Sequence, residues 1–528
     1  MRPAGIVAAP PKQFNFAEHV IELNAARKSK IAYIDDHSEL SYGELALAVR
    51  RFAAALRQLD IRREERVLLL LLDSTDWPVA FLGSLYAGAV PVPVNTLLTP
   101  DDYAYILAHS RAQAVFVSAE LIPKLEAALA KSSHEVGAVV VSRANEAVGP
   151  NVLDFARFVG EQRPLEAPAM TAADEIGFWL YSSGSTGRPK AVVHTQANLY
   201  WTAELYGKPI VGVTEHDVCF SAAKLFFAYG LGNALTFPLS VGATAVLMAE
   251  RPTPAAVFRR WIEKKTTLYF GVPTGYAGML ASADLPRTSD VALRLCVSAG
   301  EALPREIGER FNARFGCDVI DGIGSTEMLH MFMSTRPGDV RYGTTGKPVE
   351  GYDIEIRDEG GRIITEADEI GELFVRGPSA ALMYWADRDR SRESFQGAWT
   401  RTGDKYRRDS DGYYVYAGRS DDMLKVSGQY VSPFEVEATL IQHEAVLEAA
   451  VIGVTDADGL TRTKAFVVLK EAVQANGALA AELQQFVKAR LAPYKYPRDL
   501  EFLDELPKTA TGKVQRFRLR EREAAGRT

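Results

Sequence analysis

Cysteine is scarce in this chain, with Cys219, Cys296 and Cys317 the only three among 528 residues. Three scattered thiols cannot supply a disulfide framework or a structural zinc site, and they predict reduced, buried side chains in a cytosolic protein. An excess of positive charge is also missing: 60 Lys and Arg stand against 67 Asp and Glu, a formal net charge of −7. That balance excludes the electrostatic footprint of a nucleic-acid binder and any polybasic membrane patch. Long apolar runs are absent too. The longest purely aliphatic stretch, Val67 to Leu72, suits a buried strand and is far too short to span a bilayer. No positively charged segment followed by an apolar one opens the chain, so no signal peptide is expected, and there is no internal repeat or low-complexity tract. These absences predict a soluble, cytoplasmic protein with neither nucleic acid nor membrane as partner.

What is present is an ordinary globular composition, 47% hydrophobic and 24% charged, at a length that predicts two or more domains. Ser41 and Glu44 read as a capping box ahead of Leu45, Val49, Phe52, Leu56 and Leu59, which recur at helical spacing. Val67–Leu72 then reads as a strand, Trp77–Tyr86 as a helix stopped by Gly88, and Ala114–Ser118 as a further strand. Such alternation predicts α/β layering around a largely parallel sheet, resuming from about Ile176 to Asp321. After about Gly346 the pattern changes to short strands at Asp353–Arg357, Glu372–Arg376 and Tyr413–Tyr416, with turns at Gly360-Gly361 and Asp411-Gly412. A β-rich subdomain is expected there. Beyond Arg419 a new α/β unit starts, in which Ser432, Pro433 and Glu435 cap a helix running towards Gln442. Strands at Ala449–Val454 and Ala465–Leu469 and a helix at Leu479–Leu491 follow, and Gly418 to Leu424 is the expected interdomain joint.

The most informative segment is YSSGSTGRPK, Tyr181 to Lys190. Glycines let successive N–H groups converge on an anion, hydroxyls add donors, and the lysine adds charge. The segment is entered by apolar Ile176–Leu180 and left by Ala191-Val192-Val193, so it joins two strands. A Walker loop would open directly into a helix after G-x-x-x-x-G-K-[ST]. Here Gly184 and Gly187 are three apart, Pro189 precedes the lysine and Ala191 follows it, so the loop can cradle phosphate without being a Walker site. A solvated Ser/Gly linker is the alternative, which the flanking strands and the terminal lysine oppose.

That loop resembles the signature of the adenylate-forming superfamily, which includes acyl- and aryl-CoA ligases, peptide-synthetase adenylation domains and beetle luciferases. Five further motifs occur in the family's order: SAGEALP (Ser298–Pro304), DGIGSTE (Asp321–Glu327), TGD (Thr402–Asp404), GRSDDMLKVSG (Gly418–Gly428) and PKTATGKVQR (Pro507–Arg516). The likeness is tighter towards benzoate-CoA ligases through KLFFAYGLGNALTFP (Lys224–Pro238), GVPTGYAGML (Gly271–Leu280) and LAPYKYPR (Leu491–Arg498). The resemblance implies a large N-terminal adenylate-forming domain over residues 1–419, α/β with a β-rich subdomain. A small mobile α+β domain over 420–528 would follow it.

It also implies a set of residue roles. Ser182, Ser183, Gly184, Ser185, Thr186, Gly187 and Lys190 would hold the ATP phosphates, with Thr326 donating to one of them. Adenine would lie between Gly300-Glu301-Ala302 and Asp321-Gly322-Ile323, followed by Gly324; Ile323 stands where many relatives carry an aromatic. Asp404 would take the ribose hydroxyls and Arg419 the ribose or α-phosphate, a structural carboxylate–arginine pair being the alternative. Glu327 would be a Mg²⁺ ligand, since magnesium needs only one or two carboxylates beside phosphate oxygens; an N-cap or solvent carboxylate is the alternative.

Lys513 matches the family's adenylation lysine, although the basic tail around it (Arg516, Arg518, Arg520, Arg522) would also suit a solvated side chain. Lys425 would serve the thioester step, with Ser427, Gly428 and Gln429 near the coenzyme A tunnel, and Asp421 would be the hinge or an ordinary turn aspartate. Ala228, Tyr229, His330 and Met331 would line the aryl pocket, with neighbouring Phe226 and Phe227 either pocket or plain core. The implied reaction joins benzoate to coenzyme A at the expense of ATP through benzoyl-AMP, with Mg²⁺ as cofactor and a homodimer left open. Hydroxy- or aminobenzoate ligases and an aryl-acid adenylation enzyme loading a carrier protein are the alternatives. A luciferase-type oxidation and a catalytically silent nucleotide sensor are more distant ones.

Overall fold

A computed structural model describes residues 7–144, 152–182, 188–420, 422–426, 429–455, 461–471, 473–492, 495–508 and 514–525. Among the described residues the largest sheet has nine strands. From one edge they run Lys347–Pro348, Met331–Ser334, Asp318–Gly324, Leu295–Ser298, Leu268–Gly271, Val218–Ser221, Thr244–Val246, Ile31–Ile34 and Glu39–Ser41. The six from Asp318–Gly324 to Ile31–Ile34 are parallel, and the strands outside them are antiparallel. A second sheet, Val90–Pro93, Arg66–Leu70, Ala114–Ser118, Ala138–Ser142 and Val152–Asp154, is parallel throughout. Its strands read as continuous apolar runs because helices cover it.

Local sequence accounts for those helices. Ser41 and Glu44 form the capping box of Tyr42–Gln58. Helix Asp76–Ala87 ends at Gly88, whose φ of 78° is the left-handed conformation that glycine adopts without strain. The two helices pack tightly: a Cβ on Gly83 would stand 2.5 Å from the Phe52 ring. Phe52 and Phe81 are buried in one core with Leu69 and Phe116 of the parallel sheet. Among the described residues no helix is long and apolar enough to cross a membrane.

The β-rich region forms as expected, an antiparallel sheet of Asp353–Arg357, Gly371–Arg376, Trp399–Arg408, Phe395–Gln396 and Tyr414–Arg419. Further along, Ser432 caps helix Pro433–Ile441. Strand Val446–Thr455 pairs antiparallel with Thr461–Leu469, which pairs parallel with Asp499–Phe502; helices Gly477–Lys488 and Arg516–Ala525 complete this unit. Both strands of the antiparallel pair are longer than their apolar cores suggested, because the backbone ladder runs on through polar residues, Glu448 in one strand and Thr461 to Lys464 in the other. The three cysteines are free and buried.

One buried carboxylate has a measurable consequence. Asp73, just past strand Arg66–Leu70, accepts the Leu225 N–H at 3.2 and 3.3 Å. Burial raises its pKa from 3.8 to about 6, against the opposing pull of Lys224 and that N–H. The folded protein then holds this proton more tightly than the unfolded chain. The carboxylate costs nothing below the unfolded pKa, and stability falls as pH rises through the folded one. Asp73→Asn should therefore stabilise the protein on the order of 1–3 kcal/mol above about pH 7, an advantage that fades towards about pH 4 in thermal melts.

Candidate active site

The phosphate-loop segment closes a hairpin. Strands Ile176–Ser182 and Lys190–Thr195 pair antiparallel with Ser182 opposite Lys190. Ser183, Gly184, Ser185, Thr186 and Gly187 lie outside the described residues. Ser182 Oγ is buried and makes no hydrogen bond among the described residues, which suits a hydroxyl reserved for a ligand oxygen.

Lys190 meets Glu327 at the mouth of this hairpin. Its Nζ lies 2.9 Å from Glu327 Oε1 and 2.8 Å from the Tyr384 hydroxyl, which donates to the same Oε1 at 2.8 Å. Burial pushes the Glu327 carboxyl up, but Lys190 and the Tyr384 hydroxyl outweigh it and hold the group below its usual range. Glu327 is thus no helix cap: it is an ionised carboxylate paired with the phosphate-loop lysine.

A buried histidine ties the hairpin to the Glu327 segment. The His194 ring stacks on Phe178 with centroids 5.0 Å apart. Its Nε2 lies 2.8 Å from the Thr326 carbonyl, and its Nδ1 lies 2.8 Å from the Asn198 amide nitrogen. Burial lowers its pKa to about 4. The neutral ring therefore accepts from Asn198 at Nδ1 and donates from Nε2 to Thr326, which fixes the peptide before Glu327.

The motifs expected to hold the nucleotide converge on neighbouring strand ends. Ser298 and Asp321 stand opposite each other where Leu295–Ser298 and Asp318–Gly324 run side by side. Gly300-Glu301-Ala302 and Ser325-Thr326-Glu327 leave from the carboxyl ends of these strands, where open α/β sheets place their ligand crevice. Gly300 takes φ 91°. Asp321 is buried beside Ser298, and burial pushes its carboxyl well up against the opposing pull of the Leu303 and Gly322 N–H groups and the Ser298 hydroxyl. Gly322 and Ile323 pair with Ser334 and Met333. Asp404 and Arg419 face each other across a strand pair, with Nη1 3.2 Å from Oδ1, so the ion-pair alternative is realised in this state.

Of the residues expected to line an aryl pocket, Ala228 opens the short helix Ala228–Leu231 and the Tyr229 hydroxyl donates to the Val297 carbonyl at 3.1 Å. His330 sits among Phe237, Tyr206 and Tyr229, with centroids 4.7, 5.4 and 5.8 Å away. Its Nε2 lies 3.3 Å from Asn233 Oδ1, and burial lowers its pKa to about 3, so the ring is neutral. Met331 is buried in the same cluster against which Tyr229 packs, while Ala228 packs against the neighbouring core and Phe226 is itself buried.

The motifs around the joint are less complete. Lys425 and Gln429 fall on the paired strands Leu424–Val426 and Gln429–Val431. Asp421, Ser427, Gly428 and Lys513 lie outside the described residues. Asp422 binds Arg520 at 3.0 Å and Arg516 at 3.7 Å, tying the joint to the last helix. Lys508 and Val514 form a β-bridge, and the Val514 N–H donates to Glu301 Oε1 at 3.3 Å.

Sequence reasoning missed Tyr384, Asn198 and Asn233. Asn198, four residues after His194, carried a local signal; Tyr384 carried none.

Comparison with known proteins agrees with this geometry. The model of the AMP-binding enzyme family matches residues 21–385, and that of the AMP-binding enzyme C-terminal domain matches residues 435–513. The chain is 55% identical to a benzoate–CoA ligase of Thauera aromatica, over 97% of this chain and 96% of the relative. It is 47% identical to a 4-hydroxybenzoate–CoA/benzoate–CoA ligase of Rhodopseudomonas palustris, over 98% and 96%. Among solved structures, a benzoate CoA ligase from Burkholderia xenovorans LB400 aligns with TM-score 0.91 at 58% identity, covering 96% of this chain and all of that one. An anthranilate CoA ligase in complex with anthranoyl-AMP aligns with TM-score 0.94 at 41% identity, covering 98% and 99%. A phosphate-loop lysine paired with a lone glutamate at the carboxyl edge of a parallel sheet, and family models over most of the sequence, place this chain in the AMP-binding enzyme family, with its large N-terminal and small C-terminal domains.

Proposed function

We propose that the protein is an AMP-forming acid–thiol ligase that converts benzoate, ATP and coenzyme A into benzoyl-CoA, AMP and pyrophosphate. The observation that carries the chemistry is the Lys190–Glu327 pair, a cation and an anion held where a triphosphate would enter. Near full-length likeness to two benzoate–CoA ligases supports the substrate. In the first half-reaction a benzoate oxygen attacks the α-phosphorus, and the bond to pyrophosphate breaks. In the second, the coenzyme A sulfur attacks the benzoyl carbonyl and AMP leaves.

The residues divide this work. Lys190, Ser182, Thr326 and residues 183–187 bind the phosphates, whose charge exchanges for the Glu327 carboxylate on Lys190. Gly300-Glu301-Ala302 and residues 321–324 flank the base, the buried Asp321 carboxyl offering hydrogen bonds to its polar edge. Asp404 and Arg419 receive the ribose. Among the described residues no group of three or more His, Cys, Asp or Glu side chains could hold a metal of its own. A cation that shares one carboxylate with phosphate oxygens fits this donor set, so Glu327 would hold Mg²⁺ brought by ATP. When bound, Mg²⁺ neutralises phosphate charge. Two anions must meet in the first step, and Lys513 bridges them.

We further infer a division at 419/420, with Asp421 as hinge. Turning about it would withdraw Lys513 and bring Lys425 and residues 427–429 to the thioester step. The Val514–Glu301 contact supports the adenylating pose. Pure protein incubated with MgATP, coenzyme A and separate acids should yield AMP and benzoyl-CoA by chromatography. Hydroxy- and aminobenzoates are the competing acids. Pyrophosphate exchange without a coenzyme A product would favour carrier loading instead, and no AMP from any aryl acid would overturn the proposal.

A further inference from the structure

We infer that Tyr384 is a positioning residue for the adenylation site: its hydroxyl decides which oxygen of Glu327 is presented to the metal–triphosphate. This rests on the reading of Glu327 as the Mg²⁺ ligand.

Tyr384 is carried on the short strand Met383–Tyr384, paired with Val192 and Val193 just beyond Lys190. Its ring is buried against Phe395, with centroids 5.2 Å apart, and its backbone N–H donates to Ser391 Oγ at 2.9 Å. The side chain is therefore clamped at both ends of its Cα–hydroxyl lever. The hydroxyl lies 2.8 Å from Lys190 Nζ, 2.8 Å from Glu327 Oε1 and 3.2 Å from Ser394 Oγ. An ammonium can only donate and a carboxylate can only accept. The tyrosine must accept from Lys190, and its single proton goes to Glu327 Oε1 at 2.8 Å in preference to Ser394 Oγ, the more distant acceptor at 3.2 Å.

Both donors of this triangle point at Oε1, and Oε2 stands outside it. When triphosphate draws Lys190 away, Tyr384 alone keeps Oε1 engaged, and the carboxylate cannot turn to offer both oxygens. Ligation through one oxygen suits the compact octahedron of Mg²⁺ better than a bidentate carboxylate does. Tyr384 also stops Glu327 following Lys190 towards the phosphates.

The test compares Tyr384→Phe with Glu327→Gln. Free-Mg²⁺ dependence is measured by pyrophosphate exchange, and Mn²⁺ binding to the enzyme–ATP-analogue complex by electron paramagnetic resonance. With the carboxylate free to turn, Tyr384→Phe is expected to bind Mg²⁺ and Mn²⁺ about tenfold more weakly with the KM for benzoate unchanged, and the hydrogen bonds it loses in the free protein lower the melting temperature by no more than a few degrees. A wild-type metal response in Tyr384→Phe beside a weakened Glu327→Gln would overturn the positioning role. So would a loss of melting temperature that lowers every rate together with no change in metal dependence. A wild-type metal response in Glu327→Gln itself would overturn the reading of Glu327 as ligand.

Discussion

Lys513→Ala should lose benzoyl-AMP formation by a factor on the order of 10²–10³ while keeping most of its activity towards preformed benzoyl-AMP and coenzyme A. The asymmetry follows from charge. Adenylation brings a carboxylate against an anionic phosphate, and a single ammonium touching both offsets that repulsion. Thioester formation starts from a neutral acyl carbon and needs no such bridge. The chain around this position is anchored independently of the lysine. Lys508 pairs with Glu448 at 2.6 Å, and Arg516 makes two bonds to Glu437 at 2.7 and 2.8 Å. Burial lowers the Arg516 pKa, but the neighbouring Glu437 outweighs it and raises the group above its usual range, so the guanidinium stays charged. Truncating Lys513 should therefore leave the melting temperature unchanged. Stopped-flow measurement of the two half-reactions separates the outcomes, and an equal fall in both would remove Lys513 from its assigned place.

The parts of this site that were legible in sequence are those encoded locally. The Ser41–Glu44 capping box, the Ser432 N-cap, the hairpin around the phosphate loop and the Gly88 stop each depend on residues within a few positions, and the structure forms them; Glu435, expected to complete a box with Ser432, instead pairs with Lys495. The parallel strands beneath the nucleotide motifs were legible as alternation, because an apolar run buried on both faces has few other readings. Their adjacency was not. Ser298 faces Asp321 only because the sheet order places those strands side by side. Tyr384 was hidden for a related reason: it lies 194 residues from Lys190, on a strand too short to show periodicity. The neutral state of His194 and His330 was equally invisible, since burial and partners on distant elements set it. Family resemblance supplied roles for Asp404 and Arg419, and the structure adds that they are cross-strand neighbours and already paired.

Gly232→Ala should lower kcat/KM for benzoate by about two orders of magnitude while leaving ATP binding intact. Gly232 lies against the His330 ring, and a Cβ there would stand 2.2 Å from Cδ2 and 2.4 Å from Nε2. No rotation of the alanine methyl relieves such a contact, so the imidazole must move. It cannot move freely, because Phe237, Tyr206 and Tyr229 enclose it and Asn233 holds Nε2. Displacing the ring breaks that hydrogen bond and shifts Tyr229, whose hydroxyl is fixed to the Val297 carbonyl beneath the proposed aryl pocket. Overpacking of this kind costs about 1–3 kcal/mol of stability, which lowers the melting temperature by a few degrees without unfolding the chain. The larger penalty falls on the substrate, because a planar ring tolerates little change in the width of its slot. Calorimetric titration with benzoate and with an ATP analogue distinguishes the two sites. If benzoate affinity survives the substitution, His330 and Tyr229 are core residues, and the aryl pocket lies elsewhere along the crevice.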